Sequence, residues 1–135
     1  MIKHIVSLAI ITTSRGECLL QYRDAGAPLD PNQWALFGGH KEEDEAPIET
    51  IIRELREEIG LSFAPERFRY LGEFSDAAHG GSKVSLYHLL LAEGEKAGIK
   101  LGEGGGYRFF SSKEEILGLP MPDWERETLT KFLKK

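Results

Sequence analysis

Residues 46–59, APIETIIRELREEI, place apolar side chains at Ile48, Ile51, Ile52, Leu55 and Ile59. That spacing follows the period of a helix and gathers the apolar groups into one stripe. Pro47 suits the first turn, and Gly60 suits the stop just past the last turn. Glu54, Glu57 and Glu58 stand at i, i+3 and i+4, so the same helix presents three carboxylates together. The stripe needs a core to cover it, while the acids must stay close to one another. On a solvated surface their repulsion costs a few tenths of a kcal/mol per pair, roughly, and means nothing more. Held against a core, they call for a counter-charge. A hard divalent cation with oxygen ligands is the natural one, and Mg²⁺ commonly shares its sites with substrate phosphates. Arg53, next to Glu54 and one turn from Glu57, can fix a carboxylate by a bidentate contact.

The rest of the chain supplies strands to cover the stripe. The β-branched run near 3–13 reads as a strand, followed by a turn at Ser14-Arg15-Gly16 and a strand near 17–23. A loop with Gly26, Pro28 and Pro31 precedes a short strand from Trp34 to Phe37, expected to end at Gly38-Gly39. Strands are expected near 67–75 and 83–92, the second apolar on both faces and therefore central. Residues 94–106 hold six glycines and read as a loop. Tyr107 to Phe110 is a further strand, Ser112 caps a short helix over 113–117, and a last helix covers about 123–134. This order predicts an α+β fold, a mixed β-sheet sandwiched between helices.

With 135 residues, 41% of them hydrophobic, the chain has the size and composition of one globular domain, taken here as 1–135. No apolar run reaches the ~20 residues that span a bilayer, so no membrane partner is expected. The single cysteine, Cys18, lies in an apolar run, fits a buried thiol, and points to a reducing, cytoplasmic setting. A net charge of −5 without a basic stripe argues against polymeric nucleic acid as a partner. A phosphorylated small molecule remains compatible with an acidic protein if a cation reconciles the two negative charges.

The stretch from Gly39 to Leu61 closely resembles the Nudix hydrolase box: Gly39, Glu45, Arg53-Glu54, Leu55, Glu57-Glu58, Gly60 and Leu61 keep every spacing of that signature. A chance match of its fixed positions in such a chain has odds on the order of 10⁻⁷. The strand order on either side is similar to that family's α/β/α sandwich. The resemblance implies hydrolysis of a pyrophosphate bond with Mg²⁺, for which Mn²⁺ can substitute, and a protein acting as monomer or homodimer. It makes Glu57 and Glu58 metal ligands, Glu54 a ligand or general base, and Arg53 the group that orients Glu54. It nominates the Gly38 carbonyl as a further ligand and gives Gly39, Glu45 and Gly60 structural or metal-supporting roles. Glu103, in the glycine-rich loop, is similar to a late acid that acts as ligand or base in MutT-type members.

Two departures flank the box. Phe37 stands where MutT-type enzymes usually have proline, and Asp44 where they often have glycine; Asp44 is read as a helix cap. No asparagine precedes the last helix, which weakens an oxidised-guanine substrate. Arg23, Phe37, Tyr87 and Trp124 are the candidate substrate-binding groups, with Tyr22, Phe74 and His88 as further pocket candidates. His88 alternates with apolar residues and fits a satisfied core histidine. No role follows from the sequence for His40 or for the 76–82 loop. A non-catalytic nucleotide-binding regulator on the same fold is the competing reading; it would not need the full set of box acids that this chain keeps.

Overall fold

The computed structural model describes residues 5–27, 31–76, 82–102 and 106–133. The elements run β1 (Ile5–Thr13), β2 (Cys18–Arg23), β3 (Gln33–Ala35), β4 (Phe37–His40), α1 (Pro47–Ile59), a 3₁₀ turn (Pro65–Arg67) and β5 (Phe68–Asp76). They continue as β6 (Ser82–Leu91), α2 (Glu93–Lys96), β7 (Gly106–Phe110), α3 (Lys113–Leu117) and α4 (Asp123–Leu133). One mixed sheet has the order β3-β2-β1-β6-β5, with β4 added to β1 and β7 to β2.

β1 organises this sheet. One edge pairs in parallel with β6 from Ile5↔Lys83 to Thr13↔Leu91. The other edge is divided: β4 takes Val6 to Ala9, and β2 takes Ile11 and Thr12. The pleat sends alternate β1 side chains to opposite faces. Leu8 and Ile10 enter a core shared with Ile116, Met121 and Leu129 of the C-terminal segment. Ala9 and Ile11 enter a second core, with Phe37 and the α1 residues Ile51, Leu55 and Ile59. The expected sandwich is therefore present, with α1 on one face and α3 and α4 on the other. β6, apolar on both faces, lies between β1 and β5 as expected.

α1 keeps its expected bounds. The Glu49 carboxylate accepts the Ala46 N–H at 2.7 Å, Pro47 opens the first turn, and Gly60 closes the helix at φ +74°. Residues 100–102 then strap the C-terminal end: Lys100 N–H donates to the Ile59 carbonyl (2.8 Å) and Gly102 N–H to the Glu58 carbonyl (3.0 Å). A Cβ on Gly102 would strike the Glu57 carbonyl oxygen, so only glycine allows this approach.

Several expectations need correction. Gly38-Gly39 do not end a strand but lie inside β4, and the break falls one step earlier, at Leu36. Asp44 does not cap α1; Ala46 occupies that position, and Asp44 adopts φ +65°, the left-handed region that glycine takes most easily. The stretch 94–106 is not all loop, because α2 forms one helical turn there, with Glu95 accepting the Ala92 N–H at 2.8 Å. His88 is a satisfied histidine as expected, its Nε2 2.7 Å from Thr12 Oγ1. Cys18 is buried, and burial pushes its thiol up to about 12. Of the 76–82 loop, residues 77–81 lie outside the described residues, as does Glu103.

Candidate active site

Burial of Ile51, Leu55 and Ile59 fixes which way α1 faces, and the same rotation turns Glu54, Glu57 and Glu58 to the divided edge of β1. β4 approaches the helix through its two glycines. The Gly38 N–H donates to Glu58 Oε1 at 3.1 Å. A Cβ on Gly39 would collide with the Glu54 carboxylate, and one on Gly38 with the Ser7 carbonyl. The double glycine thus lets a strand pass directly under two carboxylates.

Arg53 ties the acids together. Its Nε donates to Glu45 Oε2 (2.7 Å), and its Nη1 to Glu54 Oε2 (2.7 Å) and Glu57 Oε1 (3.0 Å). Its Nη2 reaches the His40 carbonyl (2.9 Å) and Glu45 Oε1 (3.1 Å). His40, without a role in the sequence, thus contributes its backbone oxygen. Glu45 also accepts from the Glu42 N–H and the Thr50 hydroxyl. The Arg53 guanidinium holds the Glu45 carboxyl down at about 2, and the arginine is raised in turn.

Glu54 and Glu58 are shifted the other way. Burial raises Glu54 despite Arg53 beside it. Burial, and then the charge of Glu54, push Glu58 up to about 8, against the Gly38 N–H and the more distant Arg23. Arg53 serves both Glu45 and Glu54, but at Glu54 burial outweighs it, and Glu58 takes its hydrogen bond from a neutral amide, the Gly38 N–H. The donor atoms of Glu54 and Glu58 are all oxygen, the set that suits a hard divalent cation. Among the described residues no three such side chains close round one point. The acids instead form one wall of an open cavity of about 800 Å³. Gln21, Tyr22 and Arg23 of β2, the turn through Gly26 and Gly102 of the strap line the same space.

The structure therefore brings Arg53, Glu54, Glu57, Glu58, Gly38, Gly39 and Glu45 together, with Gly60 closing the same helix and Arg23 lining the same cavity as Glu54, Glu57 and Glu58. Three substrate candidates lie elsewhere. Phe37 is fully buried under α1, Tyr87 is buried on β6 between Phe68 and Tyr70, and Trp124 packs on Phe74. None of them borders the cavity. Each is an apolar side chain that the pleat or the helix turns into a core. Gln21 is a cavity residue that the motif does not contain; its sequence signal is a polar residue directly after the apolar pair Leu19-Leu20.

The profile of the NUDIX domain matches residues 2–132. The chain belongs to the Nudix family. A zebrafish (Danio rerio) Nudix relative described as m7GpppN-mRNA hydrolase NUDT17 is 39% identical over 70 residues, 50% of this chain and 23% of that protein. An RNA pyrophosphohydrolase of Gluconacetobacter diazotrophicus is 41% identical over 60 residues, 42% of this chain and 36% of that one. The chain thus aligns with about a quarter to a third of these curated relatives. The crystal structure of a MutT protein from Methanosarcina mazei superposes with a TM-score of 0.78 and 24% identity, covering 97% of this chain and 93% of that one. The Nudix fold therefore extends over nearly the whole chain. In the described residues no helix is long and apolar enough to cross a membrane.

Proposed function

We propose that this protein is a Nudix hydrolase that cuts a pyrophosphate bond in a nucleotide or nucleoside-diphosphate-linked small molecule, with Mg²⁺ as its metal. The observation that carries this reading is that Glu54, Glu57 and Glu58 line one cavity together with Arg23. A diphosphate needs positive charge on both sides, and the acid wall offers the ligands to supply it on one. Glu57 and Glu58 would hold the metal, with Glu54 and the Gly38 carbonyl as the further oxygen donors nearby. It would supply charge neutralisation of the diphosphate and polarisation of phosphorus.

The chain's own groups do the rest. Arg53 keeps Glu54 in one orientation. Glu54 takes a proton from water as the water oxygen bonds to phosphorus, and the bridging P–O bond breaks with its electron pair leaving on the departing phosphate. Glu103 is the alternative base or ligand. Arg23 holds a phosphate oxygen of the substrate. The complete acid set supports catalysis over a purely regulatory nucleotide-binding role. The names of the two curated relatives bring RNA 5′ ends into the range of substrates, whereas the net charge of −5 favours a small molecule.

A Mg²⁺ panel tests this: nucleoside triphosphates, oxidised nucleotides, ADP-ribose, nucleotide sugars, dinucleoside polyphosphates, a cap dinucleotide and 5′-triphosphate RNA. Turnover of a small diphosphate that stops with EDTA and returns with Mg²⁺ or Mn²⁺ is expected. No turnover of any member, or turnover untouched by excess chelator, defeats the proposal.

A further inference from the structure

The junction between β3 and β4 is where the sheet divides, and its amides are taken up in a regular pattern. Trp34 N–H donates to the Pro120 carbonyl at 2.7 Å, Leu36 N–H to Glu125 Oε1 at 2.8 Å, and Gly38 N–H to Glu58 Oε1 at 3.1 Å. In extended chain, alternate amides point to the same side. Three acceptors therefore follow one another along this side, the first two from the α4 region and the third from α1. The Leu36 carbonyl is held as well, by Gln21 Nε2 at 2.9 Å. Leu36 belongs to neither strand, and both of its backbone groups are clasped by side chains.

Glu125 is an unusual residue for this task. It is only 6% exposed and stands four residues before the fully buried Leu129 on the apolar side of α4. A carboxyl in such a place carries a desolvation cost that only good hydrogen bonds offset. An apolar residue would pack there at less cost but would leave a buried amide without its acceptor. Two residues beyond that amide lies Gly38, bonded to Glu58, and then Gly39, directly under Glu54.

We propose that Glu125 is a positioning residue for the acid wall of α1. It anchors Leu36 from the opposite face of the sheet, and Leu36 in turn sets the depth at which Gly38 and Gly39 meet Glu58 and Glu54. The effect on catalysis rests on the function proposed above; the effect on Gly38 does not.

The test uses ¹⁵N-labelled full-length protein without metal or substrate, and follows hydrogen exchange at the amides of Leu36 and Gly38. Glu125→Gln keeps the length and an acceptor oxygen, whereas Glu125→Asp falls one methylene short. The Asp variant is expected to speed exchange at both amides by about tenfold or more while core amides of β1 and β6 keep their wild-type rates. The Gln variant stays within about threefold of wild type at both. On the best substrate found, the Asp variant lowers kcat about tenfold with little change in KM, and the Gln variant restores it. Acceleration at Leu36 with Gly38 unchanged overturns the proposal, as does uniform acceleration across the β1–β6 core, which makes Glu125 a residue of global stability only. A wild-type protein with no turnover defeats the hydrolase reading and leaves the Gly38 measurement to decide this one. If the Asp variant does not fold, Gln21→Met removes the second clasp on Leu36. An unchanged Gly38 amide there is equally fatal.

Discussion

α1 and α4 cover opposite faces of the same sheet, and each contributes a carboxylate to a backbone amide of the β3–β4 segment. They do so from opposite sides of themselves. α1 buries Ile51, Leu55 and Ile59 and keeps its acids on the other side, at the cavity. α4 sets Glu125 among its buried residues and leaves Asp123, 90% exposed, to an ordinary surface pair with Arg126 at 2.9 Å. An acid on a polar face is free to meet ligands, whereas an acid on an apolar face acts through the backbone it holds. The helices should therefore respond differently when their acids are neutralised and similarly when their apolar anchors are cut.

The largest difference is expected from Glu54→Gln set beside Glu127→Gln on α4. Glu54 loses charge and basicity while keeping its shape, so kcat should fall by the ~10²–10⁴-fold typical of a lost general base. Glu127, which borders no part of the cavity, should leave the rate within about twofold of wild type. Initial rates on the best substrate, with folding checked by a melting curve, decide the matter. Near-full activity in the Glu54 variant moves the base elsewhere, with Glu103 next to be tested.

Next in size is the shared dependence on packing. Leu55 and Leu129 are both fully buried, one under each face of the sheet. Leu→Ala at either site removes apolar contact and leaves a cavity, and should cost about 2–5 kcal/mol. Urea unfolding measures it. A cost below about 1 kcal/mol at Leu129 alone would show that α4 is only loosely attached, and would break the symmetry between the helices.

What the sequence reveals divides along the same line. α1, its bounds and its acid face are legible because one period, 3.6 residues, separates stripe from acids, and the box spacing repeats the result. The strands of β5 and β6 are legible from their apolar runs. The break at Leu36 is not, because its N–H partner lies 89 positions away. Asp44 reads as a cap by residue type, yet it adopts a left-handed backbone, which aspartate tolerates better than most residues. Phe37, Tyr87 and Trp124 do not border the acid-lined cavity, because nearness in sequence says nothing about which face of the sheet a side chain takes. Glu125 did carry a signal: an acid four residues before Leu129 and seven before Phe132 on one helix face.

The smallest contrast concerns acid stability. Glu45, at the entry to α1, is held by Arg53 with side-chain exposures of only 16% and 12%. Its carboxyl sits at about 2 in the folded protein against an ordinary 4.5. A lowered folded value means that the ionised form favours folding. The contribution is therefore complete above pH 4.5 and is lost as the pH falls from there to about 2. Glu45→Gln removes it at every pH, so the variant should be less stable by about 2 kcal/mol at pH 7, the size of a charge-assisted hydrogen bond. The gap to wild type should close on the way down to pH 2. Asp123→Asn on α4 breaks a pair that water already screens, and should cost less than about 0.5 kcal/mol. Chemical unfolding of both variants from pH 7 to pH 2 makes the comparison. If the Glu45 gap stays constant across that range, the residue stabilises the loop by shape and hydrogen bonding rather than by its charge, and the acid wall is assembled without help from the Glu45–Arg53 ion pair.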